Sequence, residues 1–348
     1  MRMLALGLHN GRVVVVDEAT GQEKWAVQAH PLDSVVVVAM SPDGRFVASV
    51  GSRDHNCRIW DAASGKLHMM VATHDHRDAH IEEPRPVAFS PCGQRLSTRG
   101  LNAAAITWDA RTGEAKYRMQ GCFLRRSVGG AWAIEFTADG ARLASGMGDG
   151  AIDVFEATTG RWLRSIGKKG VGHCLHRMSF SPTAISMLAT VTVHDTIRVW
   201  DIDSGEMVRE IEGCCKVAIF SPDGRTIATV SAGSSRDVQL IDAESGEVRF
   251  KMVGHTSAVY TTSWCPYDGS KLASGGEDGT CKVWDSSTGE LIRSITIGRR
   301  VASMVWGRDW VRDTGAMAFA MGHHPRVGAE SRVLELEVGV VQMILDRM

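Results

Sequence analysis

The sequence predicts an all-β fold in which four-stranded units repeat around a ring, and three observations carry that prediction. First, a short apolar strand ending in an acidic residue, followed by a turn ending in glycine, occurs seven times. The copies are Val14–Gly21, Arg58–Gly65, Ile106–Gly113, Asp153–Gly160, Arg198–Gly205, Gln239–Gly246 and Lys282–Gly289. Their acidic residues, Asp17, Asp61, Asp109, Glu156, Asp201, Asp242 and Asp285, are 44, 48, 47, 45, 41 and 43 residues apart. A repeat of about 40–45 residues is the period of β-propeller blades. Second, a Ser-Pro-Asp-Gly-Arg turn runs in phase with the first motif, at Ser41–Arg45 and Ser221–Arg225. Variants stand at Ser90–Arg95, Thr137–Arg142, Ser181–Ala184 and Cys265–Lys271. Proline followed by Asp-Gly pre-sets a tight turn between two strands. Third, the flanking segments, such as Val217–Phe220 and Thr226–Val230, alternate apolar and small residues as half-buried strands do.

Each unit therefore reads as strands a to d, counted outward from the axis. Strand a precedes the Pro-Asp-Gly turn, b follows it, c carries the Trp-Asp or its stand-in, and d follows the turn ending in glycine. The first unit has b at Met3–Leu8, c at Arg12–Val16 and d at Glu23–Gln28, with no strand a before them. Six full units follow. Val301–Trp306 then reads as a lone strand a that completes the first unit, giving seven blades closed by both chain ends. Closure of this kind leaves no open sheet edge. The propeller is expected over residues 1–307 and a C-terminal tail over 308–348. In the tail, Ala316–Met321 and Arg332–Glu337 read as strands b and c of an eighth blade. The alternative there is a helix over Leu334–Arg347, weakened by Gly339.

Over Leu4 to Trp306 the chain resembles the WD-repeat propellers, on the strength of seven in-phase copies. The resemblance implies a buried hydrogen-bond chain of Trp, Ser or Thr, His and Asp within a blade. The best copy has His255, Ser274, Asp278 and Trp284, and a second has His30, Ser49, Asp54 and Trp60. A partial set occurs at Thr190, Asp195 and Trp200, with His173 out of register. In three blades Asn102 stands for the Asp, Phe155 replaces Trp, and Ile241 replaces Trp. Those blades are expected to rest on apolar packing alone.

Charge and composition bound the function. Apolar residues are 44% of 348, enough for a large core, and formal net charge is −1. That balance argues against a nucleic-acid-binding protein, which carries a basic excess. No apolar run reaches the length of a membrane span. Eight scattered cysteines, none in a C-x-x-C pair, read as thiols in a reducing compartment. The expected location is cytoplasmic, with the nucleus as the alternative.

Propeller blades put their d–a and b–c loops on one face and their a–b and c–d turns on the other. The d–a loops carry the basic doublets Arg125-Arg126, Lys168-Lys169 and Arg299-Arg300, and the b–c turns add Arg53, Arg99 and Arg236. This face is the expected partner-binding surface, suited to acidic or phosphorylated segments of other proteins. The competing reading is solvated loop charge, diluted by Asp149, Glu277 and Asp278. The long loop Thr73–Pro86 holds His74, His76 and His80 among four acidic residues, and reads as a solvated insertion rather than a metal site. His323-His324 reads the same way.

No hydrolase elbow, zinc-protease motif or phosphate-binding loop is present. The strand a segments are largely apolar, with a lone Glu135. No catalytic residue, metal or cofactor is therefore expected. The expected function is a non-catalytic interaction scaffold, monomeric as a propeller within a complex. An alternative rests on Trp108-Asp109-Ala110-Arg111, which resembles the W-D-x-R of propellers that dock on a cullin-type ubiquitin ligase adaptor. It would make the chain a substrate receptor, with Arg111 at the contact.

Overall fold

In a computed structural model of the chain, the described residues form twenty-eight strands in seven antiparallel sheets of four. The structure describes residues 2–31, 33–52, 56–72, 86–100, 103–120, 131–167, 175–192, 196–211, 215–231 and 236–308. Within them there is no helix, and each sheet is one blade of a β-propeller.

Blade 1 is composite. Its inner strand, Val301–Arg308, pairs with Arg2–Leu8, which pairs in turn with Arg12–Asp17 and then with Glu23–Gln28. The register sets Trp306 opposite Leu4 and Met304 opposite Leu6. A strand from near the end of the described chain thus supplies the inner edge that the first unit lacks, as its sequence pattern predicted. Blades 2 to 7 follow in chain order, each with its four strands in sequence order from inner to outer edge. Neighbouring inner strands touch all the way round, from blade 1 to blade 7 and back. Seven blades are therefore seen among the described residues. The strands or helix expected in the tail lie outside those residues.

The core lies between the blades rather than within any one of them. Seven buried apolar clusters each combine residues of two adjacent sheets. Trp60 of blade 2 packs with Met3 and Ala5 of blade 1, and Trp284 of blade 7 with Leu240 and Met252 of blade 6. Phe155 and Ile241 occupy the corresponding place in blades 4 and 6, again against the preceding blade. A four-stranded sheet has two faces to bury, and its ring neighbours cover both.

The acidic residue of each repeat explains the turn after it. The Asp61 carboxylate accepts from the Ser64 backbone N–H at 2.8 Å and its hydroxyl at 2.7 Å. Asp109 accepts from the Arg111 and Thr112 backbone N–H groups, and Asp285 from those of Ser287 and Thr288. This is the Asx-turn logic of a short side chain bonding backbone two or three residues on. The turn then needs a residue with positive φ. At Gly65 φ is 68°, and a Cβ there would meet the Trp25 ring at 2.8 Å. Inner strands recur with a bulge within their first three residues, as at Val35/Val37, Leu175/Arg177 and Val259/Thr261. A bulge bends the strand and re-aims the side chains that follow it.

Candidate functional site

The expected four-residue chain is present in blade 7. Trp284 Nε1 donates to Ser274 Oγ at 2.7 Å, Ser274 Oγ meets His255 Nε2 at 2.7 Å, and His255 Nδ1 meets Asp278 Oδ2 at 2.8 Å. Asp278 also accepts from the Thr256 backbone at 2.9 Å and from the Thr280 hydroxyl at 2.8 Å. The His255 side chain is fully buried and that of Asp278 is 4% exposed. A neutral imidazole uses every proton once: indole N–H to hydroxyl, hydroxyl to Nε2, and Nδ1–H to carboxylate. Burial lowers the His255 pKa, and the pull of Asp278 only partly offsets it. Burial alone would raise Asp278, but the bonds from Thr256, Thr280 and His255 outweigh it and hold the carboxyl at about 2. The set ties the d–a loop to strands b and c. It is a strut, with its polar atoms spent on one another.

Blade 2 shows the same inner part. Trp60 Nε1 donates to Ser49 Oγ at 2.9 Å, and Ser49 Oγ lies 2.9 Å from His30 Nε2. Arg58 Nη1 also lies 2.8 Å from His30 Nδ1, a contact the sequence did not signal. Asp54 lies outside the described residues. In blade 5 Trp200 donates to Thr190 at 3.0 Å, while His173 and Asp195 lie outside the described residues.

One expectation is corrected here. Blade 3 does not rest on apolar packing alone. Trp108 Nε1 donates to Thr98 Oγ1 at 2.8 Å, and the Ser97 and Thr107 hydroxyls meet at 2.7 Å. Asn102 in place of Asp does not cost blade 3 its inner bond, because Trp108 to Thr98 needs neither His nor Asp. Blade 4 also has a polar link, from the Ser165 hydroxyl to the buried Asp153.

Of the expected partner-binding residues, Arg53, Arg125, Arg126, Lys168 and Lys169 lie outside the described residues, as does most of the Thr73–Pro86 loop. Arg299 and Arg300 are described, in the loop that enters blade 1. Arg299 is exposed. Arg300 is half-buried, with its guanidinium carbon 4.0 Å from the Tyr260 ring centroid and its carbonyl accepting from His9 N–H at 3.2 Å. It lines a central channel of about 1060 Å³ that the inner strands of the blades surround. Arg236 is exposed and Arg99 half-buried. Arg111 is exposed on a c–d turn, hence on the face opposite Arg300, and its backbone N–H helps close that turn.

The channel also holds what the sequence reading undervalued. Glu135 on strand a of blade 4 (Ala131–Phe136) and Arg177 on strand a of blade 5 (Leu175–Phe180) both line it. Burial raises the Glu135 carboxyl to about 8 and lowers the Arg177 pKa. The signal for Arg177 is its place three residues before Phe180, where other strand a segments have uncharged residues.

Comparison with known proteins follows the same residues. The family described as WD domain, G-beta repeat, matches residues 21–61 and 246–285, the segments that carry the His30 and His255 networks. Among curated relatives, the chain is 27% identical to the WD repeat-containing protein slp1 of Schizosaccharomyces pombe, over 50% of this chain and 36% of that protein. It is 26% identical to the APC/C activator protein CDC20 of Saccharomyces cerevisiae, over 62% of this chain and 35% of that one. It is 28% identical to Cell division cycle 20.6, cofactor of APC complex, of Arabidopsis thaliana, over 60% and 49% respectively. The aligned part thus covers between about a third and a half of the length of these relatives.

Proposed function

Because the chain is a WD-repeat β-propeller, we propose that it is a non-catalytic platform binding partner proteins or peptides on the face of its d–a and b–c loops. The observation that carries this reading is where the polar residues of the best-preserved repeats are used. His255, Ser274, Asp278 and Trp284 satisfy one another inside the blade. They fix a rigid ring and leave its loops to vary. A rigid ring of this kind fixes where each loop begins and ends, which limits the entropy lost on binding. Relatives named as an activator or a cofactor of the APC complex support a role in bringing partners to a larger assembly. The basic doublets suit acidic or phosphorylated segments, and the location that fits is cytoplasmic or nuclear.

Affinity capture with mass spectrometry tests this reading. The wild type is compared with a variant in which Arg125, Arg126, Lys168 and Lys169 become Ala. Partners held by the first and lost by the second, with melting unchanged, support the d–a face as the docking surface. Identical partner sets would remove the basic face from the proposal.

The second reading is a substrate receptor on a cullin-type ubiquitin ligase adaptor. What favours it is the exposure of Arg111 on the face opposite Arg300, where a ligase contact would leave the d–a face free for substrate. Co-purification of a cullin adaptor that Arg111→Ala abolishes would support it, and capture of the adaptor unaffected by Arg111→Ala would exclude that contact.

A further inference from the structure

The pairing registers align the seven inner strands level by level. Ala39, Ala88, Ser179, Ile219 and Ser263 share one level with Glu135, each opposite the corresponding residue of its strand b. Two residues earlier, Val37, Ala133, Val217, Thr261 and Ser303 share a level with Arg177. The serines at these levels are used to join blades. Ser179 Oγ accepts from Phe220 N–H at 3.3 Å, Ser263 Oγ from Trp306 N–H at 3.1 Å, and Ser303 Oγ from Val38 N–H at 3.1 Å. Glu135 and Arg177 join nothing: neither has a hydrogen-bond or ion-pair partner among the described residues. Both face the channel.

Arg177 is half-buried in the channel wall, and an unpaired guanidinium costs more the further it is withdrawn from water. No structural bond explains why it is Arg that stands after the bulge in blade 5. The channel as a whole has a chiefly apolar lining, with Val37, Phe89, Trp132, Ile134 and Met178 in it, and Arg300 is the other arginine among the described residues that line it. A cavity of about 1060 Å³ matches the size of small-molecule sites, which pair an apolar lining with a few placed polar groups.

We propose that the central channel is a binding site for a small carboxylate-bearing molecule with an apolar body, its anionic head held by Arg177. The apolar walls take the body, and the charge-assisted bond fixes the head. Glu135 does not oppose such a ligand, because burial keeps its carboxyl protonated near neutral pH. This site is separate from the partner-binding face proposed above and stands whether or not that reading holds.

Octanoate is the probe, with octanol as its uncharged counterpart, and binding is read at pH 7 by titration calorimetry and by intrinsic tryptophan fluorescence, to which Trp132 in the channel lining contributes. The expected result is saturable 1:1 binding of octanoate, with octanol at least about tenfold weaker, the worth of one charge-assisted bond. Arg177→Gln should weaken octanoate about tenfold or more, and Arg177→Lys, which keeps the charge, should recover most of it. Both variants are first checked for an unchanged fold by circular dichroism. The proposal is overturned if octanoate shows no saturation up to about 10 mM, well past the millimolar range of weak ligands. It is equally overturned if octanol binds as well, or if Arg177→Gln leaves octanoate unaffected. A further result would also sink it. If Glu135→Gln lowers stability at pH 7 and its effect disappears in the Arg177→Gln background, the two residues pair with each other and need no ligand.

Discussion

At the scale of single residues, the His255 network is the clearest case of side chains chosen for one another. Removing Ser274 leaves the Trp284 N–H and His255 Nε2 buried and unpaired, which costs about 1–3 kcal/mol. Ser274→Ala is therefore expected to lower the melting temperature by several degrees, and Asp278→Ala to do likewise. A melting curve unchanged by both would show that the network contributes nothing to stability. The same network makes stability fall with acid. His255 has a folded pKa below its ordinary 6.5, so its contribution is complete above about 6.5 and is lost as pH falls below that value. Asp278, held at about 2 against an ordinary 3.8, adds a second loss as pH falls from 3.8 towards 2. Melting measured from pH 7 to pH 5 should drop more steeply in the wild type than in His255→Gln. Glu135 has the opposite sign. Its folded pKa of about 8 lies above the ordinary 4.5, so the folded state is penalised increasingly as pH rises from 4.5 to 8. Glu135→Gln should therefore raise the melting temperature, by more at pH 8 than at pH 5. A gain that shrank with pH would contradict the burial of that carboxyl.

At the scale of the element, the turns were more legible than the networks. The acidic residue and the glycine of each c–d turn are four residues apart, and that spacing alone fixed every repeat. The reason is local: the carboxylate closes the turn on its own backbone and the glycine takes the positive φ. Gly65→Ala combines two faults, a strained φ and a Cβ at 2.8 Å from Trp25. It is expected to destabilise by about 2 kcal/mol or more, read as a shift in denaturation midpoint. Long-range choices were harder to read. In blade 3, Trp108 keeps its bond to Thr98 although no Asp stands at position 102, because the indole reaches the neighbouring strand directly. Arg177 has no motif around it, because a single charged residue in a strand leaves no spacing pattern. Only the register of neighbouring blades shows that its counterparts, Val37, Ala133, Val217, Thr261 and Ser303, are all uncharged. The Arg58 contact with His30 belongs to the same class, since cross-blade and cross-strand reach leaves no spacing signal.

At the scale of the whole molecule, stability depends on closing the ring, because every apolar cluster is shared between two blades. The seam between blades 7 and 1 is where closure happens, and it carries polar links that the sequence did not suggest. Lys271 Nζ lies 2.7 Å from Glu18 Oε1, with the Glu18 side chain 6% exposed, and Arg2 Nη2 lies 3.2 Å from Asp268 Oδ2. These pairs join the a–b turn and strand b of blade 7 to strand b and the c–d turn of blade 1. Arg2–Asp268 is too exposed to contribute much, as surface pairs are generally worth less than about 1 kcal/mol. Lys271–Glu18 is different, because the carboxylate is covered. Removing its lysine leaves a buried charge without its partner, whereas replacing both residues by apolar ones removes the charge as well. Lys271→Ala should thus cost about 1–3 kcal/mol, since the ammonium is partly solvated, while Lys271→Met combined with Glu18→Leu should cost distinctly less. Equilibrium denaturation of the two variants decides the matter. If the double variant is the less stable, the pair holds the seam by its own attraction. If the single variant is, then the seam is held by the apolar cluster of Leu4, Leu6, Val283 and Trp306, and the ion pair serves to keep Glu18 from opening it.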